Sequence, residues 1–157
     1  MTQPKILGVI PARYASSRLP GKPLLEIGGK TMLEHVYRRA CASGLFFRVI
    51  IATDDHTKHD AADTVGRDVA HTATAPPHRP GPTTEIAAKI DTDYVINIQG
   101  DEPMLDPRML GELAHGLIAD PEADSATVCV PITRDEDFRN PNIVKVVRAQ
   151  NGRALYF

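Results

Sequence analysis

The stretch ILGVIPARYASSRLPGKPL, residues 6–24, decides the fold because an entirely apolar segment runs directly into a long basic one. Residues 6–10 contain no polar side chain and show no alternation between polar and apolar positions. This pattern is typical of a parallel strand covered on both faces, whereas a strand with one face in water alternates. We therefore predict that residues 6–10 form a parallel strand whose carboxyl end opens into a basic loop, residues 11–24.

A helix is predicted after the basic loop. Thr31 and Glu34 have the spacing of a capping box, in which the two side chains satisfy free backbone N–H groups at a helix start. Apolar residues then recur at helical spacing as far as Ala40, and Gly44 is a typical helix terminator. The chain therefore begins with a strand, a loop and a helix in that order.

The same alternation continues along the chain and defines the fold class. Strands are predicted at residues 48–52, 69–71, 94–98 and 126–130, helices at residues 55–65, 83–89 and 107–119, and a loop at residues 72–84. Asp106 followed by Pro107 predicts the N-cap and the first residue of the last of these helices. Asn151-Gly152 predicts a tight hairpin turn between strands at residues 143–147 and 154–157. These elements predict an α/β fold with a doubly wound, mostly parallel sheet, flanking helices and ligand sites at the carboxyl ends of the strands.

Composition indicates one soluble globular domain, residues 1–157. The chain has a formal net charge of −2, with 42% hydrophobic and 24% charged residues. No apolar run approaches the roughly 18 residues of a membrane helix, and residues 6–10 are too short for a signal-peptide core. We expect a cytoplasmic protein without a membrane partner. The chain ends inside a predicted strand, which favours a C-terminally truncated domain.

Two further classes are disfavoured by charge and cysteine content. A mildly acidic chain lacks the basic face that binding to a nucleic-acid backbone requires. Cys41 and Cys129 belong to no CxxC motif and lie near no spaced histidines. We predict that both cysteines are small buried apolar residues rather than metal ligands or redox groups.

Positive charge is concentrated at the start of the chain. Residues 1–25 contain no Asp or Glu, and three of their four cations, Arg13, Arg18 and Lys22, lie in the basic loop. One pair of opposite charges about 4 Å apart is worth roughly 4 kcal/mol at an effective dielectric constant near 20, so three cations could offset most of a triphosphate's charge. Gly21 lets the backbone approach an anion closely. The alternative is an ordinary solvated surface loop, and the sequence is neither a Walker loop nor G-x-G-x-x-G.

An acidic turn, residues 99–103 (Gln-Gly-Asp-Glu-Pro), follows the strand predicted at residues 94–98 and therefore lies on the same rim. Mg²⁺ near a polyphosphate is usually held by one or two carboxylates together with phosphate oxygens. Asp101 is the candidate ligand. Glu102 is equally consistent with an exposed turn residue, and Gln99 either hydrogen-bonds a sugar or ribose hydroxyl or only ties the turn together.

Several of these segments occur together in one known family. Residues 10–23, 98–103, 140–147 and 154–157 closely resemble the 3-deoxy-manno-octulosonate cytidylyltransferases, also called CMP-Kdo synthetases. The resemblance implies a nucleotide-diphospho-sugar transferase-like, Rossmann-like fold. It also implies that the anomeric hydroxyl of the sugar acid attacks the α-phosphate of CTP, releasing pyrophosphate and giving the activated sugar used for lipopolysaccharide. A homodimer is implied for the full-length family.

The resemblance also implies a set of site residues. By analogy, Arg13 and Lys22 hold the triphosphate with help from Arg18, and Asp101 binds the Mg²⁺ that polarises the α-phosphate. The remaining substrate-binding positions implied by the family are Ala12, Gly21, His78, Gly81, Gln99 and Gly100. Lys145 either faces the anionic substrate or has a structural role.

The segment that would bind the base and ribose departs from the family pattern. The family reads approximately His-x-Ser-Gly-Thr-Asp/Glu-Arg, whereas residues 78–85 read HRPGPTTE. Pro80 replaces the serine and no arginine follows the acid, and each unmatched polar group costs about 1–3 kcal/mol, so base choice should be relaxed. Two alternatives remain open: a cytidylyltransferase for amino-Kdo or sialic acid, and a catalytically silent nucleotide-binding remnant.

Overall fold

The computed structural model describes residues 3–12, 21–53, 68–72 and 81–157. In chain order, the described elements are β1 (Ile6–Pro11), a 3₁₀ helix (Lys22–Leu24), β2 (Glu26–Ile27), β3 (Lys30–Thr31), α1 (Met32–Ala42), β4 (Arg48–Thr53), β5 (Val69–His71), α2 (Pro82–Ala87), β6 (Tyr94–Asn97), α3 (Pro107–Ala119), α4 (Asp135–Arg139), β7 (Val147–Arg148) and β8 (Ala154–Tyr156). The helix predicted at residues 55–65 lies outside the described residues, as do Arg13, Arg18 and His78.

The central sheet has four strands in the order β5-β4-β1-β6, and every pairing in it is parallel. β1 lies inside the sheet, where Val9 is opposite Ile50 of β4 on one side and Asn97 of β6 on the other. The prediction of a mostly parallel sheet is confirmed. Because β1 and β6 are parallel neighbours, the basic loop and the acidic turn leave the same edge of the sheet.

The continuous apolar run of β1 is explained by cover on both faces. Ile6 and Ile10 pack in a cluster with Leu33 and Val36 of α1 and with residues of α3. Leu7 and Val9 point to the opposite face, where they pack with Ile50 and with Ile86 of α2. Successive side chains along a strand alternate between faces, so an apolar residue is required at every position. The doubly wound arrangement predicted from the sequence is confirmed.

Two of the predicted helices begin at the predicted N-cap residue. The Thr31 hydroxyl accepts a hydrogen bond from the backbone N–H of Glu34 at 3.1 Å. At the start of α3, the Asp106 carboxylate accepts from the backbone N–H of Arg108 at 2.9 Å. The Arg108 side chain also bonds this carboxylate, and together these contacts lower the pKa of Asp106 to about 2. None of the described helices is both long and apolar enough to cross a bilayer.

The C-terminal part departs from the predictions. Residues 126–130 belong to none of the sheets formed by the described residues, so the strand predicted there is wrong. A cavity of about 550 Å³ is lined by residues 124–128 together with residues of β6 and α3. The strand predicted at residues 143–147 is found only at its last residue, because β7 covers Val147–Arg148. β7 pairs with β8 in the antiparallel hairpin that Asn151-Gly152 predicted.

The two cysteines also differ from the prediction. Cys41 and Cys129 are both exposed. Cys41 follows Ala40 on α1, and the side of α1 that faces the sheet is occupied by Leu33, Val36 and Ala40. Cys129 lies in the extended segment that does not join the sheet. Apolar neighbours in sequence therefore did not guarantee burial at either position.

Candidate functional site

The candidate site is the rim where the chain leaves β1 and β6. Beyond the last paired residue of β6, the backbone N–H of Ile98 donates to the Val9 carbonyl at 2.8 Å. The N–H of Ala12 donates to the Ala52 carbonyl of β4 at the same distance. These bonds extend the sheet by one residue on each strand, so the acidic turn and the start of the basic loop emerge from a rigid edge. Ala12 itself is buried, with 1% of its surface exposed.

Gly100 allows the two segments to touch. A Cβ atom at this position would lie 2.8 Å from the Pro11 carbonyl oxygen. This is too close for a carbon atom, so any residue other than glycine would require the backbone to move. The sequence assigned Gly100 to substrate binding. The structure gives it a packing contact with the end of β1, and the binding assignment stays a prediction.

The two segments meet through an ion pair between Lys22 and Asp101. Lys22 Nζ lies 2.7 Å from Asp101 Oδ2, and the side chains are 36% and 50% exposed. The partners are 79 residues apart in the sequence. The structure therefore brings together the candidate phosphate-binding cation and the candidate metal-binding carboxylate in one solvent-accessible place.

Lys22 is positioned by the turn around it. Gly21 has φ +74°, in the left-handed region that glycine adopts at little cost, and its carbonyl accepts from the N–H of Leu24 at 2.8 Å. Pro23 is buried and fixes the 3₁₀ helix against the body of the domain. The start of α1 is tied to this turn, because the N–H of Met32 donates to the Leu25 carbonyl at 2.9 Å. The backbone that carries Lys22 is therefore held by its own turn and by the start of α1.

Asp101 is held by anchors on either side of the acidic turn. Gly100 packs on the end of β1, and Leu105 is buried on the other side. Arg39 of α1 donates from Nη1 to the Leu105 carbonyl at 3.1 Å. Sequence reasoning missed Arg39, because its partner is 66 residues away and no local pattern marks an arginine that bonds a distant carbonyl.

A second bridge reaches the same rim from α2. The Thr83 hydroxyl donates to Asn97 Oδ1 at 2.6 Å, which joins the first turn of α2 to the last residue of β6. Gly81 is the N-cap residue of α2, so this candidate residue begins an element attached to the edge that carries Asp101. Neither Thr83 nor Asn97 was identified from the sequence, although both lie within two residues of predicted site positions.

The other candidates differ in how they are held. Gln99 and Glu102 are exposed and both line the cavity beside β6, and neither side chain has a hydrogen bond within the described part of the chain. Lys145 donates from Nζ to the Asn140 carbonyl, which supports the structural alternative for this residue. The placement of Arg13, Arg18 and His78 lies outside the described ranges.

The described residues fit a shared metal site better than a closed protein cage. No group of three or more His, Cys, Asp or Glu side chains among them is arranged to hold a metal ion. Asp101 uses one oxygen for Lys22, and its other oxygen has no hydrogen-bond partner in the same set. A single accessible carboxylate suits Mg²⁺, which often takes most of its ligands from substrate phosphates and water.

Comparison with known sequences identifies the family. A sequence profile described as cytidylyltransferase matches residues 7–157. The match spans almost the whole chain, and the chain therefore belongs to the cytidylyltransferase family. The fold and the rim described above are those of the matched region.

The similar proteins are more specific. The 3-deoxy-manno-octulosonate cytidylyltransferase of Geobacter metallireducens shares 44% sequence identity with this chain over 98% of its length. The enzyme of the same name from Chromohalobacter salexigens shares 46% identity over 97% of the chain. A solved CMP:2-keto-3-deoxy-manno-octonic acid synthetase complexed with CTP is 43% identical, with a TM-score of 0.89 over 97% of this chain and 63% of its own. The resemblance drawn from the sequence is confirmed.

The chain matches only part of the length of these relatives. The chain covers 60% of the length of each of these two curated relatives. A more distant structure, a 4-diphosphocytidyl-2C-methyl-D-erythritol synthase, is 20% identical with a TM-score of 0.66 over 99% of the chain, and this likeness is one of fold. The α/β nucleotidyltransferase fold class is thus confirmed.

Proposed function

We propose that this chain provides the CTP- and metal-binding part of a nucleotidyltransferase that transfers CMP from CTP to 3-deoxy-D-manno-octulosonate and releases pyrophosphate. The observation that carries the proposal is the contact of 2.7 Å between Lys22 Nζ and Asp101 Oδ2 on the rim shared by β1 and β6. In this contact the proposed phosphate-binding cation meets the proposed metal-binding carboxylate, in a chain similar to a synthetase solved with CTP.

The roles follow from charge and position. Lys22 donates to the triphosphate as a point charge with three N–H donors. Arg13 and Arg18 add positive charge from the same loop, and the backbone at Gly21 and Ala12 lies against the nucleotide. Asp101 holds Mg²⁺, which supplies positive charge to the α-phosphate when it is bound. Phosphoryl transfer asks a protein mainly for positioning and charge stabilisation, so these groups need no covalent step of their own.

The remaining assignments are proposals of the same kind. His78, Gly81, Gln99 and Gly100 surround the base, ribose and sugar acid. Residues 1–157 form one nucleotidyltransferase-like domain of a longer cytoplasmic enzyme. That enzyme acts in lipopolysaccharide synthesis and forms a homodimer when full length.

One assay tests the reaction. Pyrophosphate release is measured with CTP, 3-deoxy-D-manno-octulosonate and Mg²⁺ for the unaltered chain, Lys22→Ala and Asp101→Ala. We expect each substitution to lower the rate by about 10²–10³-fold, the range found when one transition-state donor is removed. Lys30→Ala, which removes a lysine of β3 that has no ion-pair partner among the described residues, should leave the rate unchanged. A rate unaffected by both site substitutions would refute the catalytic assignment.

A catalytically silent CTP-binding module is the second candidate, favoured by the altered segment at residues 78–85. Glu85 stands where the family has an acid followed by arginine, and here it pairs at 2.9 Å with Lys89, two residues beyond the end of α2. CTP binding by calorimetry without pyrophosphate release would select this candidate. The names of the relatives favour 3-deoxy-D-manno-octulosonate over amino-Kdo or sialic acid as the acceptor.

A further inference from the structure

Lys22 and Asp101 form an ion pair in a site where each of them has another proposed partner, the triphosphate for Lys22 and a metal ion for Asp101. The ammonium group of Lys22 is directed at Asp101 Oδ2 at 2.7 Å, and no other acceptor for it lies within the described residues. A carboxylate that neutralises Lys22 takes up the charge a phosphate would need. The same lysine places a positive charge next to the carboxylate that a divalent cation would need. The pair is therefore unfavourable for either ligand arriving alone.

The pair can open without disturbing the fold. Both side chains are partly exposed, at 36% and 50%, while the backbone on each side is anchored by buried residues, Pro23 and Leu105. An ion pair with this exposure is weak, because each group is well solvated when it is separated from the other. Opening the pair thus requires rotation of two side chains and no movement of the sheet edge.

We propose that the Lys22–Asp101 pair is an exchange contact: a divalent cation displaces Lys22 from Asp101, and the released ammonium group binds the triphosphate. This inference rests on the proposed function, whose ligands it uses. Either ligand alone must break the pair, whereas two ligands bound together share that cost. The contact therefore weakens the binding of metal alone and of nucleotide alone, and it favours their joint binding.

The metal half is tested with Mn²⁺ alone, by counting free Mn²⁺ in electron paramagnetic resonance titrations. Lys22→Met frees the carboxylate, so the Kd for Mn²⁺ should fall by about two- to fivefold, the range expected for an exposed pair. Lys30→Met removes the same charge from a lysine outside the pair and should leave the Kd unchanged. Unchanged Mn²⁺ affinity in Lys22→Met, or an equal gain in Lys30→Met, would overturn the inference.

The nucleotide half is tested with CTP in the presence of EDTA, by calorimetry. Asp101→Asn should tighten metal-free CTP binding by about two- to fivefold, because it releases Lys22. Glu102→Gln removes the neighbouring carboxylate from the same turn and should have a smaller effect. In the Lys22→Met background, Asp101→Asn should no longer raise the metal-free affinity for CTP, because no lysine is left to release. If Asp101 only repelled the phosphates, Asp101→Asn would raise that affinity in both backgrounds.

The outcomes distinguish a failure of the exchange contact from a failure of the proposed function. If the unaltered chain binds CTP with Mg²⁺ but neither variant shows a gain, the exchange is wrong and the proposed function stands. If the unaltered chain binds no CTP with Mg²⁺, the proposed function is wrong and the exchange falls with it. Thermal unfolding of each variant, expected to match the unaltered chain, shows that these exposed substitutions act on binding and not on folding.

Discussion

The region up to Ala114 and the region from Asp120 onward differ in burial, because every buried apolar residue of the described chain lies in the first and no residue of the second is buried. In the first region, β1, β4 and β6 supply side chains that are almost fully buried, such as Leu7, Val9 and Ile10 with 0% exposed. In the second, large apolar side chains are exposed, including Val130 at 84%, Val144 at 81% and Tyr156 at 74%. A similar apolar content therefore leads to a packed core only where a sheet and helices meet. The candidate site belongs entirely to the first region.

The largest effect should come from the core beneath the site. Ile10→Ala removes a fully buried side chain where β1 meets α1, which should lower the free energy of unfolding by about 2–5 kcal/mol through lost burial and a cavity. Val130→Ala, its counterpart in the second region, should change that free energy by less than about 0.5 kcal/mol. Urea denaturation measures both. Equal losses would mean that the two regions are packed alike, against the contrast drawn above.

The next effect should come from Gly100, which joins the two halves of the site. Gly100→Ala places a methyl group against the Pro11 carbonyl and should cost about 1–3 kcal/mol of unfolding free energy. Binding of CTP with Mg²⁺ should weaken as well, because the acidic turn must shift. Gly111→Ala in α3 is the matched control: its methyl group meets open space in a helix, so the variant should be as stable as the unaltered chain or more stable. Loss of stability in both variants would show that the Gly100 contact is not specific.

Arg39 should have a moderate effect. Arg39→Met keeps most of the side chain's length but loses the bond to the Leu105 carbonyl, which should cost about 1–2 kcal/mol of unfolding free energy. The affinity for CTP with Mg²⁺ should also fall, since Asp101 lies in the turn that this bond anchors. Arg38→Met removes the neighbouring arginine, whose partner Glu34 is on the same helix, and should change stability by about 0.3–0.5 kcal/mol with CTP affinity unaltered. Identical CTP affinities for the two variants would remove Arg39 from the site.

The smallest expected effect is a loss of stability at low pH, caused by protonation of Asp106. Bonds from Arg108 lower the pKa of Asp106 from 3.8 to about 2, so its stabilising contribution is complete above about pH 4 and is lost as the pH falls toward 2. Asp106→Asn keeps a capping side chain and removes this titration. The stability difference between the unaltered chain and the variant should therefore shrink between about pH 4 and 2. A difference that stays constant over that range would contradict the assigned pKa.

The sequence predicted the elements whose cause is local. The caps at Thr31 and Asp106, the parallel character of β1 and the hairpin at Asn151-Gly152 all follow from patterns within a few residues. The rim was predictable as well, since a parallel sheet brings the carboxyl ends of neighbouring strands together.

What the sequence did not predict depends on partners that are distant along the chain. The strand expected at residues 126–130 needed a neighbouring strand, and none of the described strands pairs with it. Arg39 and the Thr83–Asn97 bridge carry no local signal because each partner is supplied by another element. The sequence predicted that Lys22 and Asp101 lie on the same rim, but it did not predict that they form an ion pair.

The most direct test of the central claim is the affinity for CTP, measured by calorimetry with saturating Mg²⁺ and then with EDTA. Lys22→Ala should raise the Kd of CTP with Mg²⁺ by about tenfold or more, because a charged hydrogen bond is worth about 1.5–3 kcal/mol. Asp101→Ala should weaken CTP binding only when Mg²⁺ is present. If both variants bind CTP with Mg²⁺ as tightly as the unaltered chain, the rim between β1 and β6 is not the nucleotide site.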